Sequence, residues 1–349
     1  MNEPSQPTHK RRARYRGTHP RRFAEKYKEH DPVRYQADVQ KMIAGGKTPA
    51  GSHRPICVSE ILAILSPKPG EFAVDATMGY GGHASELLPR LLPHGLLFGL
   101  DADPLELPRT EARLRELGFG PDVFVAHRTN FAGLHQFLAG HNVPAVDIVL
   151  ADLGVSSMQI DNPERGFSFK HDGPLDLRMN PQRGHPASAM LTATSESALV
   201  TMLEENSDEP HAVRIAAAIR ATQSRRAITT TRELAEAIHT AFPRSDGKED
   251  EVEAAVRRTF QALRIAVNDE FAALDTFLRN LPACLKPGGR VAILTFHSGE
   301  DRRVKKSFIA GERGGVYSSI AREVIRPTAE EIRSNPRASS AKLRWAIRA

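Results

Sequence analysis

The sequence predicts an α/β protein whose doubly wound, Rossmann-like sheet is interrupted by a helical insertion. Three observations carry this. Short apolar runs alternate with amphipathic stretches from residue 72 to 151, residues 188–265 show almost only helical periodicity, and a strand signal resumes at 290–296. At 349 residues and 40% hydrophobic, the chain can bury a core with room for two domains.

Taken in order, residues 55–65 place Ile56, Val58, Ile61, Leu62 and Leu65 at helical spacing and stop at SPKPG, a turn signal. Strands are expected at 72–76, 96–100, 123–126 and 146–151, with helices at 85–92, 108–117 and 134–139 between them. In the helical block, SALVTMLEE, AVRIAAAIRA and TTRELAEAIHTAF fit amphipathic helices, the last with a threonine cap and Glu233 near its first turn. A Gly-Gly turn in LKPGGRVAILTF then feeds the resumed strand. The expected organisation is an extension at 1–52, a sheet domain made of 53–164 and 256–349, and a helical insertion at 165–255.

The net charge of +6 sits at one end. Residues 1–52 hold 12 Lys/Arg against 5 Asp/Glu, and the remainder is nearly balanced. KRRARYR and Arg21-Arg22, interleaved with Tyr15, Phe23, Tyr27 and Tyr35, suit a phosphate backbone and base stacking; a solubilising tail is the plainer reading. Two cysteines cannot build a disulfide framework or a cysteine-based zinc site. No run is long and apolar enough to cross a bilayer, so a cytoplasmic protein without a membrane partner is expected.

Four stretches could carry chemistry. In VDATMGYGGHASELL a strand ends near Asp75, glycines 79, 81 and 82 form a loop, and a helix opens near His83. Such a loop lets the backbone approach a ligand, though G-x-G-G departs from the dinucleotide fingerprint. Asp101, in LFGLDADP, stands at the tip of the next strand, where a carboxylate typically binds a ribose diol. Together these favour S-adenosylmethionine over a dinucleotide, with a tight structural turn as the bland alternative. Asp152 ends the fourth strand, followed by Gln159. A carboxylate there can accept a hydrogen bond from an exocyclic amine beside a reactive methyl, or it can simply cap a turn. In TFHSGEDRRVKKSF, His297 with Glu300 and Asp301 offers too few partners for a metal site. A cleft rim with Arg302, Arg303, Lys305 and Lys306 facing phosphates is favoured over metal ligation.

These pieces, in this order, resemble the MraW/RsmH family of bacterial rRNA small-subunit cytosine-N4 methyltransferases. The likeness runs from His53 to the C-terminus through HRPICVSEIL, DATMGYGGHAS, GLDADP, RRTFQALRIAVNDE, LKPGGRVAILTFHSGEDRRVK and NPRASSAKLRW. The most specific piece is residues 152–180, DLGVSSMQIDNPERGFSFKHDGPLDLRMN. The resemblance implies a class I (Rossmann-like) methyltransferase sheet, S-adenosyl-L-methionine as cofactor, and methylation of a cytidine in 16S rRNA or the small ribosomal subunit. It places cofactor contacts on Gly81, Gly82, His83, Asp101, Phe131, Asp152 and Gln159, beside Asp75 and Gly79 from the residue reading. Phe131 would otherwise read as core. Asp152 is the expected catalytic residue, the insertion at 165–255 is the expected RNA-recognition domain, and a homodimer is among the assemblies left open. A paralogue with another RNA target and a non-catalytic assembly factor are the competing functions. Three features depart from the family pattern: the basic segment 1–52, Gly299 where FHSLED has leucine, and Ala255-Val256-Arg257 before Arg258.

Overall fold

The computed structural model describes residues 55–242 and 249–349, so the basic extension read at 1–52 lies outside the described residues. The first half alternates as expected: α1 (Val58–Leu65), β1 (Phe72–Asp75), α2 (Gly82–Leu91), β2 (Leu96–Asp101), α3 (Glu106–Glu116), β3 (Phe124–Arg128), α4 (Leu134–Gly140) and β4 (Val146–Asp152). A short α5 (Ser157–Asp161) follows, and then α6 (Ala187–Ala193), α7 (Glu196–Ser207), α8 (Ala212–Gln223), α9 (Thr231–His239) and α10 (Glu249–Asn268). The chain closes with α11 (Glu270–Cys284), β5 (Leu285–Thr295), α12 (Ser298–Arg313), β6 (Tyr317–Ile320), α13 (Ala329–Ser334) and β7 (Lys342–Arg348).

The strands form one seven-stranded sheet in the order β3-β2-β1-β4-β5-β7-β6. The first five pair in parallel, and β7 runs antiparallel between β5 and β6. A dinucleotide-binding sheet has six parallel strands in the order 3-2-1-4-5-6. The inserted antiparallel strand marks this one as the class I methyltransferase sheet that the resemblance implied. Neither β6 nor β7 was expected from the sequence, and β5 begins at Leu285, well before the expected start at residue 290. The Lys-Pro-Gly-Gly run reads as a turn, yet it lies within the strand, where pairing to β4 shifts register between Val146 and Ile148.

Successive strand residues point to opposite faces, so each strand feeds two cores. Val74, Phe98, Val149 and Ile293 pack with α4, α11 and α12. Ala73, Leu97, Ile148 and Ala292 pack with α1, α2 and α3. A third core belongs to the helical block, where Leu199, Leu203, Ile215, Ile219, Leu234, Ile238, Phe260 and Leu263 are buried together. The expected capping box of α9 is present: Glu233 N–H donates to Thr230 Oγ1 (3.2 Å), and Thr230 N–H donates to Glu233 Oε2 (3.1 Å).

Candidate active site

The carboxyl ends of β1, β2 and β4 bring the sequence-predicted residues to one edge of the sheet, where open α/β sheets bind ligands. After β1 the chain turns through Gly79 (φ +45°) and Gly81 (φ +68°), conformations that favour glycine, and enters α2 directly at Gly82. That is why the helix starts three residues before the expected position. The loop is braced from behind by α3: Thr110 Oγ1 donates to the Gly79 carbonyl (2.6 Å), and Arg113 donates to the Tyr80 carbonyl while lying over its ring at 4.4 Å. A Cβ on Gly81 would meet the Thr110 methyl at 2.8 Å. These braces lie more than twenty residues from the loop and carry no motif, so the sequence reading missed them.

Asp75 is 2% exposed at the tip of β1, and burial pushes its carboxyl up to about 7, against the opposing pull of His83 and the Thr77 N–H. Burial likewise lifts Asp101 to about 6, opposed by the N–H groups of Asp103 and Gly79. The Asp101 oxygens accept one backbone N–H each, from Gly79 (2.7 Å) and Asp103 (2.8 Å). A carboxylate has roughly four acceptor positions, and with the Ala102 N–H also bearing on Asp101, acceptor capacity for a further donor remains. Asp152 N–H donates to Thr77 Oγ1 (2.5 Å), which ties the tips of β4 and β1. His83 Nε2 and Asp152 Oδ2 stand 3.6 Å apart, an ion-pair separation slightly beyond a hydrogen bond. Burial opposes charge on His83, but Asp152, Asp75 and Glu86 outweigh it and hold its proton above the ordinary range. Among the described residues, the buried polar atoms His83 Nε2 and Asp152 Oδ1 find no hydrogen-bond partner. Such atoms are costly unless something satisfies them.

Phe131 sits half-buried in a short 3-10 turn after β3 and packs edge-on against Phe277 (5.5 Å between centroids). The position is thus both a margin of the core and one wall of the edge region. Gln159 closes a capping box on α5, its Oε1 accepting from Ser156 N–H (2.8 Å) and its Nε2 donating to Asp103 Oδ2 (2.8 Å). Both ends of the amide are therefore held by the protein. Asp103, 1% exposed, also takes Arg165 Nη1 at 2.8 Å. Neither Asp103 nor Arg165 was singled out in the sequence, although both lie within quoted motifs. The loop that follows folds back on itself: a Cβ on Gly166 or Gly173 would collide with the carbonyl oxygens of Pro174 or Pro163.

Beyond β5 a second acidic cluster gathers. Ligand atoms of Glu270, His297 and Glu300 lie within 4.8 Å of one another. Arg264 occupies both Glu270 oxygens (2.7 and 2.8 Å), and His297 Nε2 stands 3.3 Å from Glu300. Burial raises the Glu300 carboxyl, but His297, Arg264 and the Phe296 N–H outweigh it and hold it below the usual range. Asp301 faces elsewhere, to Arg344 (2.5 Å) and Lys342 (3.3 Å) of β7. Of the basic residues read as a phosphate-facing rim, Arg302 pairs with Asp208 (3.1 Å) and Arg303 stacks on Phe271 at 3.6 Å. Lys305 and Lys306 are exposed. Gly299 has a packing reason: a Cβ there would stand 2.6 Å from the Phe271 ring, which fills the space a leucine would take.

Among the described residues, no lysine or arginine pairs with Asp75, Asp101 or Asp152. A pyrophosphate would add negative charge beside three carboxylates. A sulfonium with an α-ammonium group supplies the missing positive charge, and Asp101 retains acceptors for its ribose. The donor set therefore fits S-adenosylmethionine and disfavours a dinucleotide. Fold and site together define an S-adenosylmethionine-dependent methyltransferase. Residues 50–349 match the MraW methylase family, and the chain belongs to it.

The chain is 54% identical to ribosomal RNA small subunit methyltransferase H 2 of Alkaliphilus metalliredigens, over 97% of each chain. It is 51% identical to ribosomal RNA small subunit methyltransferase H 1 of Lachnoclostridium phytofermentans, over 99% of this chain and 95% of that one. Ribosomal RNA small subunit methyltransferase H of Geobacter sp. strain M21 is 41% identical, over 84% of this chain and 97% of its own length. The two higher-identity relatives thus align over nearly the whole chain, including most of the leading segment, and the third over less of it. Among solved structures, a putative rRNA-methylase from Clostridium thermocellum covers 84% of this chain and 95% of its own, at 13% identity and a TM-score of 0.40. No described helix is long and apolar enough to cross a membrane.

Proposed function

We propose that this enzyme transfers the methyl group of S-adenosylmethionine to the exocyclic N4 of a cytidine in 16S rRNA, in the decoding region of the small ribosomal subunit. The observation that carries the acceptor assignment is Asp152 Oδ1, a buried acceptor at the tip of β4 without a partner among the described residues. Relatives named as small-subunit rRNA methyltransferases support the substrate class.

The bound cofactor supplies an electrophilic methyl group on a cationic sulfur. The chain's part is to bind, orient and manage one proton. Asp101 takes the ribose hydroxyls, Phe131 offers an aromatic surface to the adenine, and the Gly79–Gly81–Gly82 turn lets backbone amides approach the amino-acid end. Asp152 accepts a hydrogen bond from the cytosine N4–H and so turns the nitrogen lone pair towards the methyl. That lone pair is delocalised into the ring, so alignment supplies much of the acceleration. With the cofactor bound, the amine proton would pass to the Asp152 carboxylate as the C–N bond forms and the methyl–sulfur bond breaks, its electron pair staying on the sulfur. The Asp152 side chain, 28% exposed, then hands the proton to solvent.

A stacked cytidine must leave its neighbours to reach this edge, which is least costly in single-stranded or irregular RNA. We assign the holding of that RNA to the insertion at 165–255, the basic residues after His297 and the segment 1–52. A cytoplasmic location follows from a ribosomal substrate. The test is methyl transfer from isotope-labelled S-adenosylmethionine to small subunits from a strain lacking the family's usual enzyme, with digested nucleosides read by mass spectrometry. Labelled N4-methylcytidine is expected. Label in another nucleoside, or only in other RNA, sinks the acceptor assignment. Light scattering on the same preparation decides whether the working unit is a homodimer.

A further inference from the structure

A chain of buried and part-buried hydrogen bonds leads from Asp101 to the last turn of α10. Asp103 N–H holds Asp101 Oδ1 (2.8 Å), and Asp103 Oδ2 in turn accepts from Arg165 Nη1 (2.8 Å). Arg165, 6% exposed, spends its other terminal nitrogen on the carbonyls of Arg178 (3.1 Å) and Met179 (2.8 Å). Its own carbonyl accepts from Leu177 N–H at 3.2 Å. Leu177 is buried with φ +64°, a left-handed conformation that leucine adopts only at a cost. Asn268, ending α10, closes the chain: its Nδ2 donates to the carbonyls of Leu177 (2.7 Å) and Arg264 (2.8 Å), and its Oδ1 accepts from Met179 N–H (2.7 Å).

A buried ion pair and a strained backbone are both poor devices for stability alone, and they persist where the surroundings over-determine them. Here both sit on a run of side-chain hydrogen bonds that joins the Asp101–Asp103 turn to the loop that opens the helical block. Arg165 is suited to the task because one planar fork serves a carboxylate and two carbonyls at once, which a lysine cannot do.

We propose that Arg165 is a positioning residue that couples occupation of the cofactor pocket to the order of the 177–179 loop and, through Asn268, to the helical block. Filling the pocket at Asp101 fixes the Asp103 turn. The turn fixes Arg165, and Arg165 holds the strained loop against α10. By linkage, anything that orders the loop tightens cofactor binding by the same factor. Where RNA is concerned, the inference rests on the reading that the helical block holds it.

The test is hydrogen exchange followed by mass spectrometry, with S-adenosylhomocysteine as the probe. In the wild-type chain the probe should slow exchange across 176–180 by about tenfold or more, the worth of one charge-assisted hydrogen bond. Arg165→Lys keeps a charge beside Asp103 and should lose most of that slowing. Asn268→Asp removes the donor at the far end, away from the pocket; at saturating probe it should lose the slowing, and by linkage it should bind the probe more weakly by the same factor. That variant decides the matter even if Arg165→Lys fails to fold. Slowing that survives in Asn268→Asp, or that is missing from the wild type, overturns the coupling. A separate arm measures small-subunit affinity with and without the probe, where the wild type should gain about fivefold or more and Arg165→Lys little. Loop protection without any gain in that arm leaves the clamp standing and counts against RNA binding by the helical block.

Discussion

Asp75, Asp101 and Asp152 on one side, and Glu270, Glu300 and Asp301 around the end of β5, both concentrate carboxylates at the same edge of the sheet, and they are neutralised differently. Each member of the second set faces a basic side chain: Arg264 for Glu270, His297 for Glu300, Arg344 and Lys342 for Asp301. Asp301, like Glu300, is held below its ordinary range, burial being outweighed by Arg344 and Lys342. Among the described residues, the first set has only His83 as a basic partner, and burial lifts Asp75 and Asp101 instead. On the proposed reading, the paired cluster is scaffold and the other, at the ligand edge, receives a positively charged guest.

Substitutions should therefore separate the two. The largest effect is expected for Asp152→Ala, with methyl transfer falling roughly 10²- to 10⁴-fold while circular dichroism stays native. Turnover near the wild-type value would remove Asp152 from its role. Arg264→Gln strands Glu270 and should cost about 3–5 kcal/mol in urea unfolding, with cofactor affinity of the folded protein unchanged. A loss of affinity at full stability would make the second cluster part of the site. Asp101→Asn should show the reverse: calorimetry should find S-adenosylmethionine binding weakened by about tenfold to a hundredfold, with stability retained.

The smallest effect concerns pH. Folded Asp75 keeps a proton that the unfolded chain gives up near pH 3.8, so its stabilising contribution is lost as pH rises from about 4 to about 7. Glu300 and Asp301 run the other way, present above their ordinary values and lost on acidification. The melting temperature of ligand-free Asp75→Asn should accordingly depend less on pH between 4 and 7. Binding of the cationic cofactor near pH 6.5 should release fewer protons than in the wild type, read by calorimetry in two buffers. An unchanged proton count would contradict the picture.

The placement of Asp75, Asp101 and Asp152 at strand tips was legible because its signals are local. Asp75, the glycine turn, Asp101 and Asp152 each end a strand whose apolar run is visible in sequence. What was hidden depends on distant partners. Arg165 meets Asp103 across 62 positions, and Thr110 reaches Gly79 across 31. Strand β7 reads as charged, KLRWAIR, because Arg344 is buried only by virtue of Asp301, 43 positions earlier. Strand β6 is four residues long and carries too little pattern to register. Phe131 illustrates the middle ground, since an aromatic at a core margin looks the same in sequence whether or not a ligand shares its face.

The antiparallel strand has a consequence for how the protein is made. The outer edge of β5 stays unpaired until Lys342–Arg348 has been synthesised, 47 positions after Thr295. At a translation rate of about 5–20 residues per second, that open, apolar edge persists for roughly 2–10 s on the ribosome. An exposed strand edge is a template for pairing with another chain. Strand β7 is thus the one that shields a nascent sheet from its neighbours on the same message.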